Sequence, residues 1–264
     1  MLKIFIFLKK SIKCGKKYAI IGGMEIKQVL GKVRKACEQY NLIEDGDKIA
    51  VGLSGGKDSI TLLTCLSMLR HFYPKKFELG AIAVDIFSGQ TDYSKIKEYC
   101  KKLDVPLTII PSNIKRVVFD IRKEPNPCSL CANLRRGFLN STAIKLGYNK
   151  VALGHHADDL IQTLFMSMFH ESRLNTFLPK TQLTNSPLVV IRPLVLTFEK
   201  EIIGVCKDMP VIFNKCPANK HTERENINQM IQNLNKRIPG VEKKILSALT
   251  HPERNNLFDK LNNN

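Results

Sequence analysis

The sequence predicts an α/β protein: a doubly wound, mostly parallel five-stranded sheet, Rossmann-like, with helical additions at both ends. Three observations carry this. Short apolar runs of strand length alternate with stretches of helical periodicity, the pattern of βαβ units and of a parallel sheet covered on both faces. The 264 residues are enough for one large α/β domain with a sizeable core. Hydrophobic residues make up 44% and charged residues 25%, ordinary values that exclude a chain disordered throughout.

The elements follow in order. Residues 24–42 repeat apolar side chains at helical spacing (Ile26, Val29, Leu30, Val33, Cys37), and Asp45-Gly46-Asp47 reads as the turn that ends the stretch. Residues 48–53 read as a short buried strand, 59–72 as a helix, 79–86 as a strand, 93–103 as a helix and 107–111 as a strand. A helix is expected over 129–146, a strand over 151–154, a helix over 158–169, a strand over 189–191 and a helix over 200–206. Val211-Ile212-Phe213 reads as strand-like. Residues 222–237 form a polar, basic helical pattern broken at Pro239-Gly240, and 241–249 a last helix. In such sheets ligands bind at the carboxyl ends of strands, so the chemistry is expected in the loops that follow them.

The charge is not ordinary. Lys and Arg number 41 against 24 Asp and Glu, a net +17, which points to a polyanionic partner, either nucleic acid or an acidic membrane surface. No apolar run approaches the 18 residues of a membrane span. Residues 1–23 hold six lysines and no acid, without a complete secretory pattern, and are expected to be a disordered basic extension preceding an internal start at Met24. Eight unevenly spaced cysteines in a chain of this size fit a reduced cytoplasmic protein better than a disulfide framework.

Ser54-Gly55-Gly56-Lys57-Asp58-Ser59 lies between the first strand and the next helix. A strand, a Gly-Gly turn and a helix N-terminus form an anion site on physical grounds, through inward N–H groups and the helix dipole. Ser54 and Ser59 can hydrogen-bond phosphate oxygens and Lys57 can add a point charge. Walker A spacing is absent, since Val51 and Asp58 stand where that loop needs Gly and Ser/Thr, and the dinucleotide fingerprint is absent too. Asp58 would repel phosphate unless a cation lies between them, so a Mg²⁺-bound triphosphate or pyrophosphate is the natural ligand.

Cys128 and Cys131 form a CxxC pair at the start of a helical pattern, a placement that suits metal binding or redox work. Cys216 follows much later, at Cys216-Pro217. Three readings are open: an iron–sulfur cluster on the three cysteines with one iron open to substrate sulfur, a zinc site completed by a ligand such as His221, and redox work through a persulfide and a resolving cysteine.

Two resemblances narrow these readings. Residues 54–59 resemble the PP-loop, the S-G-G-x-D-S signature of N-type ATP pyrophosphatases, a group that includes GMP synthetase and tRNA lysidine synthetase. Pro127–Gly137, Ala152–Asp159 with Gln162-Thr163-Leu164, Ile191–Leu194, and Cys216-Pro217-Ala218-Asn219 with Arg224 strongly resemble the TtcA-type tRNA 2-thiolation enzymes. The resemblance covers residues 24–249 and leaves 1–23 aside. It implies the adenine nucleotide α-hydrolase-like fold, and three divisions: 1–23 the extension, 24–215 the PP-loop α/β domain with its CxxC insert, and 216–264 a C-terminal helical segment carrying the third cysteine. One cysteine stands after Phe213 where some relatives have two.

The resemblance further implies an enzyme that adenylates the C2 carbonyl of a tRNA base, most simply cytidine 32 of the anticodon loop, and replaces its oxygen by sulfur. It implies ATP and Mg²⁺, and a [4Fe–4S] cluster on Cys128, Cys131 and Cys216. Leu53, Ser54, Gly55, Gly56, Lys57, Asp58, Ser59, Val84, Asp85, Gly154 and Asp159 are expected at the ATP site, with Asp58 and Asp159 catalytic. Arg135, Arg136, Lys220 and Arg224, beside the cysteines, are expected on tRNA phosphates. Asp158 and Asp159 would otherwise serve as helix caps, and His155 and His156 as acid–base groups or plain loop residues. Partners implied are tRNA, ATP and a sulfur donor such as a cysteine desulfurase, in the cytoplasm, without a membrane, and allowing a homodimer. The alternatives are a tRNA uridine 2-thiolase or another PP-loop enzyme that forms an amide or amidine. A zinc-knuckle RNA-binding protein has no use for the PP-loop.

Overall fold

The computed structural model of the protein describes residues 24–123, 127–212 and 223–254. Its strands are β1 (Asp47–Gly52), β2 (Phe77–Asp85), β3 (Leu107–Pro111), β4 (Lys150–Ala152), β5 (Lys180–Gln182) and β6 (Val189–Ile191). They form one sheet in the order β3-β2-β1-β4-β6-β5. All neighbours are parallel except β5, which runs antiparallel to β6 with Thr181 opposite Val190. The doubly wound, mostly parallel class stands, with six strands among the described residues. The sixth, Lys-Thr-Gln, is a three-residue polar edge strand with no apolar alternation to announce it.

The helices are α1 (Met24–Gln39), α2 (Lys57–Leu69), α3 (Ser94–Lys102), α4 (Pro127–Lys145), α5 (Ala157–Glu171), α6 (Glu199–Val205), α7 (Glu223–Arg237) and α8 (Val241–Thr250). A π-helix, Arg116–Ile121, links β3 towards α4, and its short apolar run fits neither the 3.6 nor the 2.0 period. Val211 and Ile212, read as strand-like, belong to no strand of the sheet; Phe213 lies outside the described residues. Among the described residues no helix is long and apolar enough to cross a membrane.

Period-2 alternation along β2 sends Ile82, Val84 and Ile86 to one face. There, with Ala50 and Val151, they pack on Leu139 and Ala143 of α4 and on Ile114 and Val118. On the other face α1, α2 and α6 pack together. The buried Thr64 and Tyr99 hydroxyls, 2.9 Å apart, tie α3 to α2.

The chain leaves β1 outward through β2 and β3, then returns to β4 on β1's other side. The order therefore reverses between β1 and β4, and a crevice opens at their carboxyl ends. α4 runs from the end of β3 back to the start of β4, so its first turn, with Cys128 and Cys131, also lies at the carboxyl edge.

The described parts of Met1–His156 and Leu178–Ala218 form one compact unit. Those of Ala157–Phe177 and Asn219–Asn264 form another, in which α5 packs with α7 and α8.

Candidate functional site

The phosphate loop lies at the switch point. Leu53 is buried, and its N–H donates to Ile82 O (2.8 Å), carrying the β1–β2 pairing one residue past the strand. The Ser54 and Ser59 hydroxyls are 3.1 Å apart, and the Gly56 N–H donates to Ser54 Oγ (3.2 Å), so the loop is closed by its own side chains. No side chain caps α2 at Gly56, which leaves the helix N-terminus open to an anion. Gly55 has φ +82°, and a Cβ there would stand 3.1 Å from Ile212 Cβ, so both backbone and space require glycine. Ile212 N–H also donates to Gly55 O (2.8 Å), which clamps the loop from above.

Lys57 and Asp58 enter α2's first turn. Lys57 Nζ lies 2.8 Å from Glu199 Oε1 and 3.3 Å from Asp58 Oδ1. Burial works against its charge, but the Glu199 and Asp58 carboxylates outweigh that and hold Lys57 above the usual lysine value. His156 is buried, with Nε2 3.9 Å from Asp58 Oδ1, while His155 is half-buried. Asp58 thus has the Lys57 ammonium and the His156 imidazole beside it. Gly154 follows β4, and a Cβ there would come within 3.1 Å of the Asp58 carbonyl carbon and the Ser59 nitrogen. The close approach that this glycine permits is to the backbone of the phosphate loop itself.

Val84 and Asp85 end β2. Val84 packs into the core and Asp85 is 1% exposed. Asp85 Oδ1 accepts from Thr91 Oγ1 (2.6 Å) and from the Phe87 N–H (3.0 Å). Burial raises the Asp85 carboxyl, but these hydrogen bonds prevail and hold it below the usual value. The carboxylate therefore organises the loop after β2.

The cysteines separate into two kinds. Cys37, Cys65 and Cys100 are buried, and burial raises their thiols, Cys37 to about 12 and Cys100 to about 11. Cys128 is exposed and Cys131 half-buried, both outside any disulfide and at i, i+3 spacing near the start of α4. Two accessible soft donors on one helix face fit an iron–sulfur or zinc centre. Cys216, Lys220 and His221 lie outside the described residues, and among those described no group of three His, Cys, Asp or Glu could hold a metal.

Arg135 is half-buried. Arg136 is exposed, its Nη2 donating to Asn133 Oδ1 (2.6 Å). In the smaller unit, Asp158 and Asp159 lie within α5's first turn, where a carboxylate meets the helix dipole. Arg224 Nη1 stands 3.7 Å from Asp159 Oδ1, so a residue expected at ATP and one expected on tRNA pair with each other. Glu199 and Ile212 are the site residues that sequence reasoning passed over. Nothing local distinguishes a glutamate on a short helix far along the chain, and Ile212 was read as part of a strand.

A family model described as a PP-loop domain matches residues 26–236. The tRNA-cytidine(32) 2-sulfurtransferase of Aliivibrio fischeri (strain MJ11) is 38% identical over 237 residues, covering 88% of this chain and 77% of that protein. The protein of the same name from Serratia proteamaculans (strain 568) is 38% identical over 242 residues, covering 88% and 78%. Among solved structures, the U34-tRNA thiolase NcsA from Methanococcus maripaludis with its [4Fe–4S] cluster aligns with a TM-score of 0.69 at 26% identity, over 90% of this chain and 82% of that one. A PP-loop at the switch point, an accessible CxxC pair at the same sheet edge and these matches along most of both chains lead to one conclusion: the chain belongs to the PP-loop family of tRNA-cytidine(32) 2-sulfurtransferases.

Proposed function

We propose that the chain uses ATP to replace the C2 oxygen of a tRNA cytidine, cytidine 32 of the anticodon loop, by sulfur. The observation that carries this reading is the pairing, along one carboxyl edge of the sheet, of an open phosphate loop with the accessible thiols of Cys128 and Cys131. A base carbonyl is a poor electrophile and its oxygen a poor leaving group. In the first step the C2 oxygen attacks the α-phosphorus of ATP and pyrophosphate leaves. In the second, hydrosulfide, supplied as sulfide or released from the persulfide of a donor such as a cysteine desulfurase by a thiol reductant, adds at C2; the C2–O bond breaks, the oxygen leaves on AMP and the proton passes to solvent.

The residues divide this work. Ser54, Gly55, Gly56 and Ser59 cradle the phosphates through backbone N–H and hydroxyl donors, and Leu53, held to Ile82 by its own N–H, fixes the start of that loop. Lys57, kept charged by Glu199, neutralises them. Asp58 would hold Mg²⁺ against the phosphates. Val84 and Asp85 border the adenosine, Gly154 keeps the β4 loop tight on the phosphate loop, and Asp159 serves as a second acid. Cys128 and Cys131, with Cys216, would hold a [4Fe–4S] cluster, which when bound supplies an iron that carries reactive sulfur. Arg135, Arg136, Lys220 and Arg224 take tRNA phosphates. The PP-loop domain over 24–215, the tail over 216–264, the cytoplasmic location and a homodimer belong to the same reading.

Nucleoside mass spectrometry of tRNA from a deletion strain tests it. Loss of 2-thiocytidine is the expected result. Loss of 2-thiouridine with 2-thiocytidine retained would transfer the assignment to the uridine thiolases. Anaerobic purification should give a brown, iron-containing protein, and a colourless zinc protein would remove the cluster.

A further inference from the structure

The sheet face that carries α4 holds a cavity of about 530 Å³ at the carboxyl edge. Ser88, Ser112 and Asn113 reach it from the ends of β2 and β3, while Leu134 and Phe138 wall it from α4. No phosphate-loop residue lines it. Leu134 and Phe138 follow Cys131 by three and seven residues, so the cavity lies under the face of α4 that carries that thiol. Its volume is that of a small-molecule pocket, roughly 300–1,000 Å³.

The lining is an apolar, aromatic-walled slot with few polar groups. Phe138 is 41% exposed, a large apolar ring left partly open to solvent. Ser88 Oγ donates to Asn113 Oδ1 (2.8 Å), which orients that amide and leaves its nitrogen unengaged by any described residue. The surroundings are cationic. Lys115 and Arg116 sit between the lining residues Ile114 and Val117, and Arg122 and Lys123 follow on the same segment; all four are exposed.

Sequence-specific RNA recognition takes unstacked bases of single-stranded loops, stacks them on aromatic rings and holds the backbone with Lys and Arg. We infer that this cavity receives an unstacked nucleobase of the tRNA anticodon loop, its ring against Phe138 and its flanking phosphates on Lys115 and Arg116. The inference rests on the sulfurtransferase reading and adds to it the surface that reads the loop.

The test uses the full chain and an anticodon stem–loop RNA carrying 5-iodouridine at one loop position at a time. Irradiation should crosslink it to residues 111–117 or 134–138, whether or not a non-hydrolysable ATP analogue is present. Phe138→Ala should weaken RNA binding about ten-fold or more, and Phe138→Trp should restore it. Lys115→Ala should lower the slope of log affinity against log salt by about one. Crosslinks mapping elsewhere, unchanged affinity in a Phe138→Ala protein with an intact melting transition, or loss of the crosslink with the ATP analogue would each overturn the inference. Thiolation by the same preparation is scored separately. Thiolation with crosslinks elsewhere sinks this inference alone, while crosslinks at the cavity without any thionucleoside sink the sulfurtransferase reading alone.

Discussion

The two ends of the sheet use the same residue types to opposite effect. At the amino end, Asp47 and Lys150 are buried side by side, with Lys150 Nζ 2.7 Å from Asp47 Oδ2. That oxygen also accepts the Glu44 N–H (2.6 Å), Asp47 Oδ1 accepts from Asn149 Nδ2 (2.8 Å), and Lys150 Nζ donates to Leu42 O (3.1 Å). At the carboxyl end, Lys57 and Asp58 sit partly exposed beside Glu199 and His156. The first cluster is closed: every charge is satisfied by groups that fold alone supplies, and it stitches β1 to β4. The second is open, at a helix N-terminus with no capping side chain, and can exchange its internal partners for a phosphate.

That contrast can be broken by substitution. The largest effect is expected from Lys150→Ala, which leaves Asp47 buried without its partner. Stability should fall by about 3–5 kcal/mol, seen as a lower melting temperature, while KM for ATP in the surviving folded protein stays unchanged. A raised KM with unchanged melting would reverse the roles of the two ends.

Thr91→Val should cost about 1.5–3 kcal/mol by removing a hydroxyl that donates to the charged Asp85. Asp85 lies below the ordinary carboxylate value when folded, so its contribution is full above that ordinary value and is lost as pH falls through the folded one. The deficit of Thr91→Val should therefore be large at neutral pH and shrink in acid, which urea unfolding at several pH values will show.

Gly154→Ala places a methyl against the Asp58–Ser59 backbone. A loss of about 1–3 kcal/mol is expected together with a higher KM for ATP, because the phosphate loop must shift. Stability loss without a KM change would separate this glycine from the site.

The smallest effect belongs to Glu199→Gln. Lys57 and Glu199 are both about a third exposed, so their pairing contributes under about 1 kcal/mol. Lys57 stands above its ordinary value in the folded state, so that contribution holds at neutral pH and is lost as pH rises through the folded value. The difference between wild type and variant in thermal melts should close in strong alkali.

What could be read from the sequence was local. Ile49-Ala50-Val51 and the Gly-Gly turn announce β1 and the phosphate loop because strand propensity, turn chemistry and helix start coincide within a dozen residues. Cys128 and Cys131 stand out because their spacing repeats a helical turn. What escaped depends on distant partners. Lys150 looks like a surface lysine until β4 is laid beside β1. Glu199 acquires its meaning only from Lys57, and Ile212, which a strand reading would pair in the sheet, instead covers Gly55. The polar edge strand β5 and the π-helix carry no period that a linear reading detects. Gly154, expected at the ATP site, also lies against the Asp58–Ser59 backbone, a neighbour that only the folded chain reveals.

The central claim is that an open phosphate loop and accessible cysteines act together on a tRNA cytidine. Unmodified tRNA incubated anaerobically with the reconstituted chain, ATP and sulfide, then digested for nucleoside mass spectrometry, tests it directly. The expected result is 2-thiocytidine with wild type, none with Cys128→Ala, and none when ATP is withheld. Equal 2-thiocytidine from Cys128→Ala, or formation without ATP, would contradict it.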